Sequence, residues 1–167
     1  MNHKSFSRKI PHPVSLLSVS DGERENIATM SWLSAVSRKP PLLMVSVSPR
    51  RLSHEMVLKS GEFAIMILSD TQKELSTLAG TVSGSKMNKW ELPQFNSHKK
   101  KANLIKVPVL NNCLAVFECK LVNHLTAGDH TIMIGEIIHL DINGEVKPLS
   151  LYDHKYYSLG DLIDVYP

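Results

Sequence analysis

Residues 26–58 constrain the fold of this chain more than any other stretch. They contain two strand-like runs that meet at Pro40-Pro41, then a basic turn at Arg50-Arg51 that leads into a predicted helix over residues 52–59. Side chains two residues apart lie on the same face of a strand. The alternation therefore predicts that each run carries hydroxyl groups on one face and apolar groups on the other.

These hydroxyl groups lie next to the basic turn in the chain. The first run has Thr29 and Ser31 on one face and Ala28, Met30 and Trp32 on the other; the second has Ser46 and Ser48 opposite Val45 and Val47. Hydroxyls, free backbone N–H groups and guanidinium groups beside a helix start are suited to hold a phosphate. Ser53 is the predicted cap of that helix and Gly61 its end. From the residues alone, a second interpretation stays open: the hydroxyl groups could belong to a solvent-exposed edge strand and the arginines to a surface turn.

The remaining pattern predicts a mainly β protein with helical additions. Apolar runs at 14–19, 62–68, 114–125 and 130–140 indicate strands, and the run at 62–68 is apolar on both faces. Thr71 and Glu74 have the spacing of a capping box that opens a second helix, and Asn143-Gly144 is a hairpin signal. Many short strands with few helices favour a closed barrel. We expect one domain over 1–167, with residues 1–9 flexible.

Composition excludes several classes of function. A net charge of +3 over 167 residues calls for neither nucleic acid nor a membrane as partner, and no apolar run approaches the roughly 18 residues of a membrane span. Lys99-Lys100-Lys101 could contact nucleic acid, but a solvated loop is the simpler interpretation. The eight scattered histidines and the two cysteines outside any C-x-x-C indicate no metal site. We expect a cytoplasmic protein.

Several motifs of this chain also resemble those of a known protein family. The motifs Asn26-x-x-Thr29-x-Ser31-Trp32, Ser37-x-x-Pro40-Pro41-Leu42, Ser46-x-Ser48-x-Arg50, Ser60-Gly61-Glu62-Phe63 and Gly128-Asp129-His130-Thr131 through Gly135-Glu136 resemble the flavin reductase-like family. This is the FMN-binding split-barrel group that includes flavoredoxin-type proteins. The similarity extends over roughly residues 10–160 and implies a split β-barrel that binds FMN.

The resemblance also implies the cofactor contacts. Ser83-Gly84 with Lys89-Trp90 is similar to a family motif, although Gly80 to Lys86 lacks the spacing of an NTPase phosphate loop. His130 is the candidate nearest the reactive edge of the flavin, but no catalytic residue is assigned. His54 could contact the phosphate or lie on the surface, and Trp32 could stack on the flavin or pack in the core or a dimer interface. The implied FMN contacts are Asn26, Ala28, Thr29, Met30, Ser31, Trp32, Ser46, Val47, Ser48, Arg50, Arg51, Ser53, His54, Ser83, Gly84 and Lys89.

Two functions are compatible with such a site. The first is an NAD(P)H-dependent flavin reductase, in which NADH or NADPH passes hydride to N5 of the flavin. The alternative is a non-catalytic FMN electron-transfer protein of the flavoredoxin type, which would need an electron-acceptor protein. The resemblance further implies a homodimer with the flavin near the subunit interface.

Overall fold

Strands dominate the fold, as the sequence predicts. The structure is a computed structural model that describes residues 3–165. Its strands are β1 (His12–Pro13), β2 (Ser15–Ser20), β3 (Glu25–Met30), β4 (Leu33–Arg38), β5 (Pro41–Val47), β6 (Glu62–Ile67), β7 (Lys99–Lys101), β8 (Pro108–Leu110), β9 (Ala115–Ala127), β10 (His130–Ile142), β11 (Leu149–Tyr152) and β12 (Lys155–Ser158).

The helices are short additions to these strands. Within the described range the α-helices are α1 (Leu52–Ser60), α2 (Lys73–Thr81) and α3 (Pro93–Asn96), and the 3-10 helices cover His3–Lys9, Asp70–Gln72 and Lys89–Glu91. A helix that crosses a bilayer needs about 20 apolar residues, whereas the longest α-helices between residues 3 and 165 have nine.

A seven-stranded antiparallel sheet forms the barrel. Its strand order is β3-β2-β6-β9-β10-β5-β4, so β3 and β4 lie at opposite edges although only Ser31 and Trp32 separate them in the chain. The two edges must therefore approach each other at this link, which curls the sheet into a barrel with a seam. The Trp32 carbonyl accepts the N–H of Ser46 in β5 at 3.0 Å, which extends the β4–β5 pairing by one residue toward this link. β3 and β4 are not paired with each other, so the barrel is split at the seam between these two strands.

β2 and β6 contribute to two hydrophobic cores, because alternate side chains face opposite sides of a sheet. Leu17 of β2 and Phe63 of β6 lie in the core inside the barrel, with Met56 of α1 closing one end. Leu16 and Met66 lie in a second core outside the barrel, which α2 and the segment around Trp90 cover. This confirms the prediction that residues 62–68 form a buried strand with two apolar faces.

Both helix starts differ from the predicted caps. Arg51, not Ser53, is the N-cap of α1, and no side chain forms a capping hydrogen bond there. Before α2, the capping box joins Ser69 and Gln72 around the 3-10 turn Asp70–Gln72. Thr71, the predicted cap, instead shares a hydrogen bond of 2.9 Å with Ser69 Oγ. Gly61 ends α1 in the left-handed region with a φ of 69°, as predicted.

One predicted hairpin needs correction. Asn143-Gly144 is a turn but not a hairpin, because β10 pairs with β5 and β9 whereas β11 pairs with β1 and β12 in a separate three-stranded sheet. The N-terminal segment forms a 3-10 helix over His3–Lys9, and the flexibility of residues 1–9 stays a prediction. The Arg8 carbonyl accepts the N–H of Asp153 at 2.9 Å, which joins this helix to the turn after β11.

Candidate functional site

A cleft of about 790 Å³ opens beside the seam of the barrel. β3, the link to β4, the turn before α1, the end of α2 and residues 82–85 surround it. It brings together most of the residues expected at the site: Asn26, Ala28, Thr29, Met30, Ser31, Trp32, Ser46, Ser48, Arg50, Arg51, Ser53, Ser83, Gly84, Lys89 and His130. Their roles in binding stay predictions.

The cleft has further lining residues that the sequence patterns did not indicate. They are Pro49, Leu52, Glu55, Ala79, Gly80, Val82 and Ser85. For Ala79 and Gly80 at the end of α2, the only indication in the sequence was that they lie close to Ser83 in the chain. That helix reaches the cleft by packing on β3, where the Thr29 hydroxyl donates to the Ser76 carbonyl at 2.6 Å. The hydroxyl proton of Thr29 is thus already bound within the protein.

The basic turn gives the cleft two positively charged side chains. Arg50 and Arg51 both line it, directly before α1. The first N–H groups of a helix lack acceptors inside the helix, and the helix dipole is positive at that end. Because no side chain caps α1, this helix start is open to an external anion. Two guanidinium groups and an uncapped helix start thus lie together at this corner.

Lys89 adds a buried amine to the same end of the cleft. The side chain is almost fully buried and donates from Nζ to the Ala79 carbonyl at 2.9 Å. Burial, and then the positive charge of Arg51, lower the pKa of Lys89 to about 8. Its charge consequently changes within the range of pH in which the protein can be studied.

Asn26 connects β3 to the first turn of α1. Its side-chain amide donates to Ser53 Oγ at 2.9 Å, which explains why Ser53 is buried and does not cap the helix. Asn26 Oδ1 is buried without a hydrogen-bond partner. Gly84 packs against it so closely that a Cβ there would lie 2.1 Å from Oδ1. Only glycine therefore fits at residue 84 with Asn26 in this position.

Replacing Gly84 by alanine is expected to lower the free energy of unfolding by about 1–3 kcal/mol, the usual cost of overpacking. The new methyl group would displace Asn26 and break its bond to Ser53. Urea denaturation measures the change, and Gly144→Ala is the matched control because no atom lies within 4 Å of a Cβ at that exposed turn. Equal stability of the two variants would contradict the packing described here.

Trp32 and His130 form an aromatic pair at the seam. Their ring centroids are 4.8 Å apart with an interplanar angle of 41°, and His130 Nδ1 lies 2.8 Å from Asp129 Oδ1. That hydrogen bond lowers the pKa of Asp129. Strand alternation had placed Trp32 on the face opposite Thr29 and Ser31, but β3 ends at Met30 and the alternation ends with it. Trp32 instead lines the cleft.

Two residues expected at the site lie outside the cleft. Val47 is 1% exposed and packs in the core of the barrel, because it faces inward from β5. His54 turns toward β10, where Nε2 lies 2.8 Å from Thr131 Oγ1. Burial, with a smaller effect of His124, lowers the pKa of His54. Neither side chain is placed to contact a ligand in the cleft.

The comparisons with known proteins agree with this architecture. Residues 6–160 match the family model described as "Flavin reductase like domain". An uncharacterized protein of Archaeoglobus fulgidus is 36% identical over 129 residues, covering 74% of this chain and 69% of that protein. "FMN reductase (NADH) RutF" of Pantoea ananatis is 25% identical over 131 residues, covering 78% of this chain and 66% of that protein.

A solved structure extends the likeness to nearly the whole chain. It is an FMN-binding protein from Thermus thermophilus with bound 1-cyclohex-2-enone, with a TM-score of 0.88, 25% sequence identity, and coverage of 99% of this chain and 96% of that chain. The predicted family and the split-barrel fold are confirmed by these matches. The chain belongs to the flavin reductase like domain family.

Proposed function

We propose that the cleft binds FMN, with the phosphate at the basic corner and the flavin ring toward Trp32 and His130. One observation carries this proposal: a single cleft is lined by two arginines, an uncapped helix start, an aromatic pair and an open strand edge. The matched family and the Thermus thermophilus FMN-binding protein support the same ligand.

The residues of the cleft fit each part of FMN. Arg50, Arg51 and the N–H groups at the start of α1 would hold the phosphate dianion. Ser46 and Ser48 also line the cleft and would hydrogen-bond the ribityl chain.

The seam offers backbone groups to the polar edge of the ring. β3 has a strand neighbour on one side only, so the backbone groups on its other side are not used by the sheet. Residues 28–32 line the cleft along that edge. Backbone N–H and C=O groups are rigid partners for the pyrimidine edge of a flavin, and we place it there.

We further propose that the protein is an NAD(P)H-dependent flavin reductase. A flavin bound in the cleft would supply the redox chemistry as a hydride acceptor at N5. The protein binds the phosphate, orients the ring and leaves one ring face accessible, and none of these tasks requires a general base. The name of the Pantoea ananatis relative, an FMN reductase that uses NADH, supports this activity.

The test is the steady-state oxidation of NADH and of NADPH in the presence of FMN. Consumption of either nucleotide in proportion to the amount of protein supports the reductase. The electron-transfer alternative predicts that neither nucleotide is consumed while dithionite reduces the bound flavin reversibly. Such a result would assign the protein to the carrier type and would call for an electron-acceptor protein.

FMN affinity is expected to fall as the pH rises from about 7 to about 9. Lys89 is protonated below its lowered pKa of about 8 and neutral above it. The cleft thus loses a positive charge over a range in which the FMN phosphate stays a dianion. Fluorescence titrations across this range should give a weaker pH dependence for Lys89→Met. Identical pH profiles for the two proteins would contradict the role of this amine.

We also propose a homodimer whose interface adjoins the cleft. Ile132 of β10 lies opposite Leu125 of β9 and Ser46 of β5, and Ile134 lies opposite Met44. These positions face out of the barrel, because the residues that alternate with them, Thr131 and Met133, are buried. Leu125 is 46% exposed, and Ser46 also lines the cleft. An apolar outer face next to the cleft is suited to a second copy.

Leu125→Glu is expected to convert the dimer to monomers, because a charge in an apolar interface loses its hydration. Sedimentation equilibrium measures the state of association. Leu140→Glu is the control, since Leu140 is a similarly exposed leucine near the other end of β10. A wild-type protein that sediments as a monomer would contradict this proposal.

A further inference from the structure

The small sheet near the C-terminal end of the chain is attached to α2, the helix whose end lines the cleft. Among the described strands, β12 pairs with β11 and takes no part in the barrel sheet. Tyr156 and Ser158 lie two residues apart in β12 and so share one face of the strand. On that face the Tyr156 hydroxyl shares a hydrogen bond of 3.1 Å with Ser76 Oγ, and Ser158 Oγ donates to Asp70 Oδ2 at 2.6 Å.

Ser76 connects this sheet to the barrel through α2. Its hydroxyl bonds to Tyr156, and its carbonyl accepts the hydroxyl proton of Thr29 in β3 at 2.6 Å. Ser76 is 1% exposed, so its hydroxyl has little access to water and relies on Tyr156 as a partner. One residue in the middle of α2 therefore fixes the helix on two sides, to the barrel through Thr29 and to the small sheet through Tyr156.

The part of α2 one turn after Ser76 forms one side of the cleft. Ala79 and Gly80 line the cleft and follow Ser76 by three and four residues, so they lie on the same side of the helix. The Ala79 carbonyl accepts the buried amine of Lys89, which also lines the cleft. A Cβ at Gly80 would lie 3.3 Å from Thr29 Oγ1, so the helix and the strand are in close contact. A shift of α2 would consequently move the Lys89 amine and the Thr29 hydroxyl together.

We propose that Tyr156 is a positioning residue for the cleft, acting through Ser76 on the place of α2 against β3. Because the hydroxyl proton of Thr29 is donated to the helix, Thr29 offers a ligand only acceptor lone pairs. The same position of α2 holds the Lys89 amine at the Ala79 carbonyl. The inference rests on the proposed function for the identity of the ligand, FMN, whereas the effect of Tyr156 on α2 does not depend on it.

The test removes the hydroxyl group of Tyr156 and keeps its ring, which packs against the core outside the barrel. Tyr156→Phe does this, and its Kd for FMN is expected to rise about two- to tenfold, the range of one hydrogen bond. Tyr157→Phe is the matched control, because Tyr157 lies on the opposite face of β12 and is 45% exposed. Its Kd for FMN should equal that of the wild type.

Two further measurements separate a displaced helix from a protein that is merely less stable. The visible circular dichroism of FMN at saturation should change in Tyr156→Phe and stay as in the wild type in Tyr157→Phe. Without FMN, amide hydrogen exchange over residues 77–84 should be about threefold or more faster in Tyr156→Phe, the order expected from one lost hydrogen bond. Exchange in β9 should stay unchanged, since the effect is local to α2 and the segment after it.

Ser76→Ala tests the path from Tyr156 to the cleft. If Tyr156 acts through Ser76, the double variant Tyr156→Phe/Ser76→Ala binds FMN about as weakly as Ser76→Ala alone, whereas additive losses would overturn the inference. Unchanged FMN affinity or unchanged exchange over residues 77–84 in Tyr156→Phe would also overturn it. A wild-type protein that binds no FMN would contradict the proposed function instead, and the exchange measurement would then decide the role of Tyr156.

Discussion

Valine at residue 135 is expected to destabilise the protein by at least about 3 kcal/mol, at the upper end of overpacking effects. Gly135 is buried in β10, and a Cβ there would lie 2.5 Å from Phe63 Cζ and 3.0 Å from Cys119 Cβ. Phe63 and Cys119 are both fully buried in the barrel core, so neither can move aside without disturbing it. The two additional methyl groups of valine increase the conflict.

Thermal unfolding measures this effect directly. For a chain of this size, the predicted loss corresponds to a fall in Tm of about 10 °C. Gly144→Val is the matched control, because Gly144 lies in an exposed turn with no atom within 4 Å of a Cβ, and its Tm should stay near that of the wild type. A Gly135→Val protein with wild-type Tm would show that the barrel interior is looser than described here.

Arg51→Ala is expected to weaken FMN binding by about 1–3 kcal/mol, the range of a hydrogen bond to a charged group. Arg51 is the N-cap of α1 and lines the cleft, so its guanidinium group lies beside the open helix start. The expected change in Kd is about five- to 150-fold. Fluorescence titration of the flavin-free protein with FMN measures it.

Two controls separate phosphate binding from a general loss of structure. Riboflavin has the same ring and ribityl chain without the phosphate, so its affinity should be nearly the same for Arg51→Ala and the wild type. Arg38→Ala removes an exposed arginine of β4 that does not line the cleft and should leave FMN affinity unchanged. Equal losses for FMN and riboflavin would place the phosphate elsewhere.

The sequence predicted those parts of the site that depend on neighbours in the chain. The hydroxyl groups of Ser46 and Ser48, the two arginines and the start of α1 follow one another between residues 46 and 52, and the structure places them together as expected. Gly61 likewise ends α1 because only the local conformation matters at a left-handed C-cap. Val47 and His54 were the exceptions, since Val47 faces the barrel core and His54 bonds to Thr131 of a distant strand.

Features that depend on tertiary contacts could not be predicted. Strand alternation failed at Trp32, because the chain crosses from one edge of the sheet to the other at that residue and leaves regular strand geometry. The contact of Gly84 with Asn26 joins segments far apart in sequence and has no local signal. The low pKa of Lys89 also arises only when α2 and β3 enclose its amine.

Binding of one FMN in the cleft beside the seam, by its phosphate and its ring, is measured by titrating the flavin-free protein with FMN and recording the visible absorbance. We predict a saturating spectral shift at one FMN per chain and a tighter Kd for FMN than for riboflavin. A spectrum that remains that of free FMN, with the protein in excess, would contradict the account.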